Sequence, residues 1–154
     1  MKILMVCLGN ICRSPMAEGI LRARAAERGL AVITDSAGTS DHHVGEAPDL
    51  RAQAAMRRRG ADISDLRGRQ FKAADLERFD HIFAMDRSNL NNILALAHDP
   101  TLRGKVRLMM DVVPHAAQTE VPDPYFGGDE GFDAVFDQLD GAINHFLDEL
   151  EGRR

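Results

Sequence analysis

A cysteine and an arginine stand six positions apart in Val6-Cys7-Leu8-Gly9-Asn10-Ile11-Cys12-Arg13-Ser14-Pro15, near the start of the chain. That pairing suits capture of a tetrahedral oxyanion and its attack by sulfur. Successive backbone N–H groups of a compact loop form an anion-binding nest. A helix starting at the end of the loop adds unpaired N–H groups and the positive end of its dipole. Arg13 brings a planar fork that pairs two phosphate oxygens at once. The same positive field favours the thiolate of Cys7, which would lie beneath a bound phosphate and attack it in line. Leu8, Gly9, Asn10, Ile11, Cys12, Arg13 and Ser14 would then form the phosphate loop. Gly9 and Asn10 are the residues there that most easily take positive φ. A lone cysteine is more often a small core residue. Its place between an apolar run and a helix start separates Cys7 from that reading.

The loop needs a strand before it and a helix after it. Ile3 to Val6 reads as a buried strand. Met16 to Arg28 has helical spacing, with Ser14 as its cap, Pro15 in its first turn and Gly29 as its stop. Further strands are expected at Ala31–Asp35, Asp80–Met85 and Val106–Met109, with Ser36 to Ser40 as a loop. Further helices are expected at Asp49–Arg59, around Leu76–Phe79, at Arg87–Ala97 and at Gly131–Leu150. In the last, Phe132, Val135, Phe136, Leu139, Ile143, Phe146, Leu147 and Leu150 recur at steps of three and four. This alternation predicts an α/β fold. It is a single-domain three-layer sandwich over residues 1–154, a four-stranded parallel twisted sheet with helices on both faces. Ligands of such sheets bind beyond the carboxyl ends of the strands, where the first loop falls.

The chain is similar to the low-molecular-weight protein tyrosine phosphatases. Val6 to Pro15 resembles that family's phosphate loop, and Val121-Pro122-Asp123-Pro124-Tyr125-Phe126 resembles its general-acid loop. The resemblance spans essentially the whole chain and implies hydrolysis of phosphotyrosine and small aryl phosphates through phosphocysteine. Cys7, Arg13 and Asp123 would be catalytic, and no cofactor or metal would be needed. Asp-Pro is also a common turn dipeptide. A leaving phenolate nevertheless needs a proton, which a carboxylic acid supplies. Tyr125 and Phe126 resemble the aromatic wall beside the substrate, although packing would also account for Phe126. Cys12 is a small residue for a crowded loop and also a thiol able to trap oxidised Cys7 as a disulfide. Ser36, in Asp35-Ser36-Ala37-Gly38, matches a serine that holds the loop asparagine, here Asn10. Asp86 reads as the cap of the helix that follows. His42 stands in the variable rim loop where many relatives have Tyr or Trp. Leu66 replaces a histidine of several eukaryotic relatives near Gly68-Arg69-Gln70.

Composition narrows the alternatives. A net charge of −5 with only short basic clusters, Arg57-Arg58-Arg59 and Arg67-Gly68-Arg69, speaks against nucleic-acid binding. No apolar run reaches membrane-spanning length, and the start does not read as a signal peptide. The expected setting is cytoplasmic, with both cysteines reduced. The expected partners are phosphotyrosine proteins, with inorganic phosphate and other oxyanions as inhibitors. A monomer or weak self-association is expected. The His42-His43 pair lacks further ligands at metal-site spacing. Three rival activities use the same fold or loop. An arsenate reductase needs a downstream cysteine relay, and the chain has only two cysteines. An arginine phosphatase typically carries threonine where Ile11 stands. A phosphocarrier has no use for an acid at Asp123.

Overall fold

The first strand is buried on both faces, which accounts for its unbroken apolar sequence. In the computed structural model, which describes residues 1–152, β1 spans Lys2–Cys7. Ile3, Met5 and Cys7 enter one hydrophobic cluster and Leu4 and Val6 the other, the alternation of an extended chain. Three more strands follow: β2 at Ile33–Gly38, β3 at His81–Ala84 and β4 at Val106–Leu108. All pair in parallel, in the order β2-β1-β3-β4. The fold is α/β, a four-stranded parallel sheet between two layers of helices, as the sequence implies.

One layer consists of α1 (Arg13–Glu27), α2 (Leu50–Arg58) and α6 (Asp129–Leu150). The expected apolar stripe of α6 is buried there, from Phe132 to Leu147. The other layer contains α3 (Asp75–Arg78), α4 (Arg87–Leu94) and α5 (Pro100–Arg103), gathered over Leu4, Val6 and Ile82. Neither α5 nor the 3₁₀ turn Met109–Val112 was legible in the sequence, since each is a single turn.

Three differences from the sequence reading bear on the site. Helix α1 begins at Arg13 rather than Met16, so Arg13 and Ser14 lie in its first turn. Ser14 is therefore not the cap; Cys12 holds that position and makes no side-chain capping bond. Strand β2 runs on to Gly38, which places Ser36 in the sheet instead of in a loop. The pairing Cys7 with Gly38 brings the carboxyl ends of β1 and β2 together. Gly38 is needed there, because a Cβ would stand 2.8 Å from the Leu8 carbonyl oxygen. The chain moves from β1 to one neighbour, β2, then returns to the other, β3. The loop after β1 thus opens at the crevice where the sheet reverses direction.

Candidate active site

Cys7 ends β1 and is buried, with its sulfur turned into the loop that follows. Its Sγ accepts the Asn10 backbone N–H at 3.3 Å and lies 3.0 Å from the Ser14 hydroxyl. Asn10 has φ of 58°, the left-handed conformation that curls the loop around the sulfur. Its Nδ2 donates to Ser14 Oγ at 2.8 Å and to Ser36 Oγ at 3.0 Å. Its Oδ1 accepts the Arg69 backbone N–H at 3.0 Å. Because Ser14 Oγ accepts from Asn10, its own proton is available to a thiolate at Cys7. The Ser36 hydroxyl in turn donates to Glu18 Oε1 at 2.8 Å. Glu18 is buried, and that burial raises its carboxyl above the ordinary glutamate range, with Asp35 and Asp65 adding to it. The expected link between Ser36 and Asn10 is therefore present, and a buried chain of hydrogen bonds continues past it to Glu18. Buried networks of this kind rigidify when every member is satisfied.

Arg13 is fixed from the far side. Its Nη1 donates to Asp86 Oδ2 at 2.7 Å and to the Val121 carbonyl at 3.0 Å, and its Nη2 lies 3.9 Å from Asp123 Oδ2. Burial acts to lower the guanidinium's pKa, but Cys7, Asp86 and Asp123 together raise it further. The other Asp86 oxygen accepts the Asn89 N–H at 2.8 Å. Asp86 caps α4, as the sequence implies, and tethers Arg13 as well.

Asp123 follows Val121 and Pro122 on an extended segment, where its Oδ1 accepts the Tyr125 N–H at 3.0 Å. Cys7, Leu8, Gly9, Ile11, Cys12, Arg13, Asp123, Tyr125 and Phe126 line one cavity. Cys7 and Cys12 are both free thiols. Burial pushes the Cys12 thiol well up, and Asp49, Cys7 and Asp123 push it further, so it keeps its proton at neutral pH. Cys7, Arg13 and Asp123 share a single opening.

The sequence model of the low molecular weight phosphotyrosine protein phosphatase family matches residues 2–154. The chain belongs to that family. A low molecular weight phosphotyrosine protein phosphatase of Schizosaccharomyces pombe is 39% identical over 152 residues, 97% of this chain and 96% of that protein. The crystal structure of a protein tyrosine phosphatase from Entamoeba histolytica, with Hepes in its active site, superposes with a TM-score of 0.94. It is 39% identical and covers 99% of this chain and 97% of its own. A Drosophila arginine phosphatase matches at a TM-score of 0.92 and 36% identity, over 98% of each chain.

Within this phosphatase-family site, the rim differs from the sequence reading. His43, not His42, is among the residues that line the cavity, and His42 is an exposed turn residue of the same loop. The His43 imidazole is held by Glu46, whose two carboxylate oxygens each lie 3.1 Å from Nδ1. Its loop is pinned against Gly68, where a Cβ would overlap the His43 carbonyl oxygen. Leu66 packs against the hydrophobic cluster beside α1. The Arg69 backbone N–H supports Asn10. Arg51 is a residue that the sequence reading missed. Its guanidinium donates to the Tyr125 carbonyl at 3.0 Å and the Gly127 carbonyl at 3.3 Å, and is paired with Asp49. It staples the Asp123 loop to α2, and no local pattern announces it. Glu18 was missed as well, since its partner Ser36 lies 18 residues away and no local spacing announces it.

Proposed function

We propose that the chain is a protein tyrosine phosphatase, one domain over residues 1–154, acting through phosphocysteine. The observation that carries this reading is the shared cavity of Cys7, Arg13 and Asp123. The Cys7 thiolate attacks phosphorus while Arg13 and the loop amides bind the equatorial oxygens. The bond to the phenolic oxygen breaks, and that oxygen takes the proton of Asp123. Water then gives a proton to the Asp123 carboxylate and attacks the phosphocysteine. Inorganic phosphate forms and sulfur leaves as thiolate, accepting a hydrogen bond from Ser14. Stabilising charge on the transferred group is the dominant catalytic term. Thiolate and carboxylic acid supply nucleophile and proton, so no step calls for a cofactor or metal.

Ile11 lines the cavity beside Tyr125 and Phe126, an apolar surface suited to an aryl ring. That favours phosphotyrosine over the phosphoarginine suggested by the Drosophila relative. The Hepes bound by the Entamoeba relative supports inhibition here by phosphate and other oxyanions. Cys12, protonated and in the same loop, is the partner that would trap an oxidised Cys7 as a disulfide. Among the described residues no helix is long and apolar enough to cross a membrane. A cytoplasmic setting and a monomer, at most weakly self-associating, complete the proposal.

The test is phosphate release from a phosphotyrosine peptide and from phosphoarginine, by wild type and Cys7→Ser. Release from phosphotyrosine by wild type alone is the expected outcome. Substantial turnover by Cys7→Ser would remove the nucleophile assignment, and preference for phosphoarginine would reverse the choice of substrate.

A further inference from the structure

Eight large apolar side chains are exposed among the described residues, and they are not scattered evenly. Leu8, Tyr125 and Phe126 line the catalytic cavity. Val44 follows His43 on the rim loop, and Leu50 opens α2 beside Arg51. Leu8, Tyr125 and Phe126 line the opening itself, while Val44 and Leu50 adjoin His43, which lines it, and Arg51, which braces the Tyr125 loop; together they make an apolar collar. Phe126 is 92% exposed and Leu50 78% exposed, so the fold itself makes almost no use of either. The Phe126 ring meets Tyr125 edge-on, with centroids 5.0 Å apart. Single exposed apolar residues need no account, but a set continuous with a reactive pocket marks a binding surface.

The collar is also held rigidly. Gly45 N–H donates to the Gly68 carbonyl at 2.8 Å and Gly68 N–H to the Glu46 carbonyl at 2.8 Å, which fixes the Val44 loop. Arg51 fixes the Tyr125 loop through the two carbonyl bonds given above. Such preorganisation lowers the ordering cost of binding. Asp41, Glu46, Asp123 and Asp129 lie on or next to the same loops, while Arg51 is paired with Asp49.

We propose that this collar selects phosphotyrosines flanked by apolar residues and rejects those flanked by acidic ones. The inference rests on the phosphotyrosine activity proposed above and specifies the segment around the phosphorylated residue. An extended substrate segment lays its neighbouring side chains on Leu8, Val44, Leu50 and Phe126, removing apolar surface from water on both partners. Acidic neighbours would face the carboxylates instead, and like charges repel.

The test uses three phosphotyrosine peptides of equal length, flanked by Leu, Ser or Glu, with free phosphotyrosine as the reference. kcat/KM is measured for wild type, Val44→Ser and Leu50→Ser. The expected order is Leu over Ser over Glu, with about tenfold between the extremes. Each variant narrows the Leu advantage while free phosphotyrosine turns over unchanged. Equal kcat/KM for the Leu and Ser peptides would overturn the proposal, as would a Leu advantage undiminished in both variants. Sedimentation showing a wild-type dimer that Leu50→Ser disperses would assign the collar to a second copy, and would also overturn it. Failure to hydrolyse any phosphotyrosine, free or in peptides, would remove the activity and the inference with it. Hydrolysis without discrimination would remove the inference alone.

Discussion

The two oxygens of Asp86 serve different structures, and substitution can separate them. One oxygen caps α4 through Asn89 and the other tethers Arg13 at 2.7 Å. Serine is as good a cap as aspartate but carries no charge and is too short to reach the guanidinium. Asp86→Ser therefore removes the tether and keeps the cap, while Asp86→Ala removes both. The tether is a charge-assisted bond to a buried arginine, and the Asp86 side chain is only 24% exposed. Such bonds contribute about 1.5–3 kcal/mol. If that energy holds Arg13 in place for the transition state, its loss lowers kcat/KM about ten- to a hundredfold. Both variants lose this amount, since neither restrains Arg13. The cap adds about 1 kcal/mol of stability, so Asp86→Ala unfolds at a Tm about 2–4 °C below that of Asp86→Ser. The assays are steady-state hydrolysis of an aryl phosphate and thermal melting followed by circular dichroism. Wild-type kcat/KM in Asp86→Ser would refute the reasoning, because the Val121 carbonyl alone would then suffice to aim Arg13.

Asp123→Asn should slow hydrolysis of phenyl phosphate by about 10²–10⁴-fold and that of p-nitrophenyl phosphate much less. Equal losses for the two leaving groups would contradict the acid role. Cys12→Ser should keep most of its turnover, because the Cys12 thiol is protonated and does not compete with Cys7. After a pulse of peroxide, however, wild type should recover with a thiol reductant and the variant should not; equal recovery would exclude the trapping disulfide. Glu18 has a folded-state pKa raised by burial. Its contribution to stability is full below the unfolded glutamate value and is lost as pH rises through the folded one. Glu18→Gln keeps an acceptor for Ser36 and removes the titration. Its Tm should therefore gain on wild type as pH rises above the ordinary glutamate value of about 4.3, and a difference independent of pH would show that Glu18 does not titrate in the folded protein.

The chemistry was legible because it is local. Cys7 to Arg13 is one turn of chain, and its residue types state what the loop binds. The alternation of β1 and the stripe of α6 were legible for the same reason, since period alone encodes which face is buried. The boundaries of α1 and β2 were not. Arg13 and Ser14 are helical because Cys7, Asn10, Asp86 and Val121 draw their side chains inward, and those partners lie up to 108 residues away. Ser36 stays in the sheet because β1 pairs with it, as Met5 with Ser36. Asp86 read as a cap because capping is local, whereas its bond to Arg13 spans 73 residues. The sequence marks His42 in the rim loop, and the neighbouring His43 that lines the cavity is legible only from its contacts with Glu46 and Gly68.

The loop that carries Cys7 comes early in the chain, and what organises it comes later. Ser36, Arg69, Asp86, Val121 and Asp123 all follow the motif in the order of synthesis. While the ribosome is still adding them, residues 7–14 hold every letter of the motif and none of its geometry. Asn10 has no Ser36 or Arg69 to curl against, and Arg13 swings without a tether. Cys7 is then an ordinary cysteine, and a nascent chain at this stage neither removes phosphate nor presents a primed sulfur to passing oxidants. Parallel pairing across such sequence separations forms slowly, because the intervening chain must close first. Activity therefore appears only once nearly all of the chain has emerged, which makes phosphate release a report on completed folding rather than on the presence of the motif.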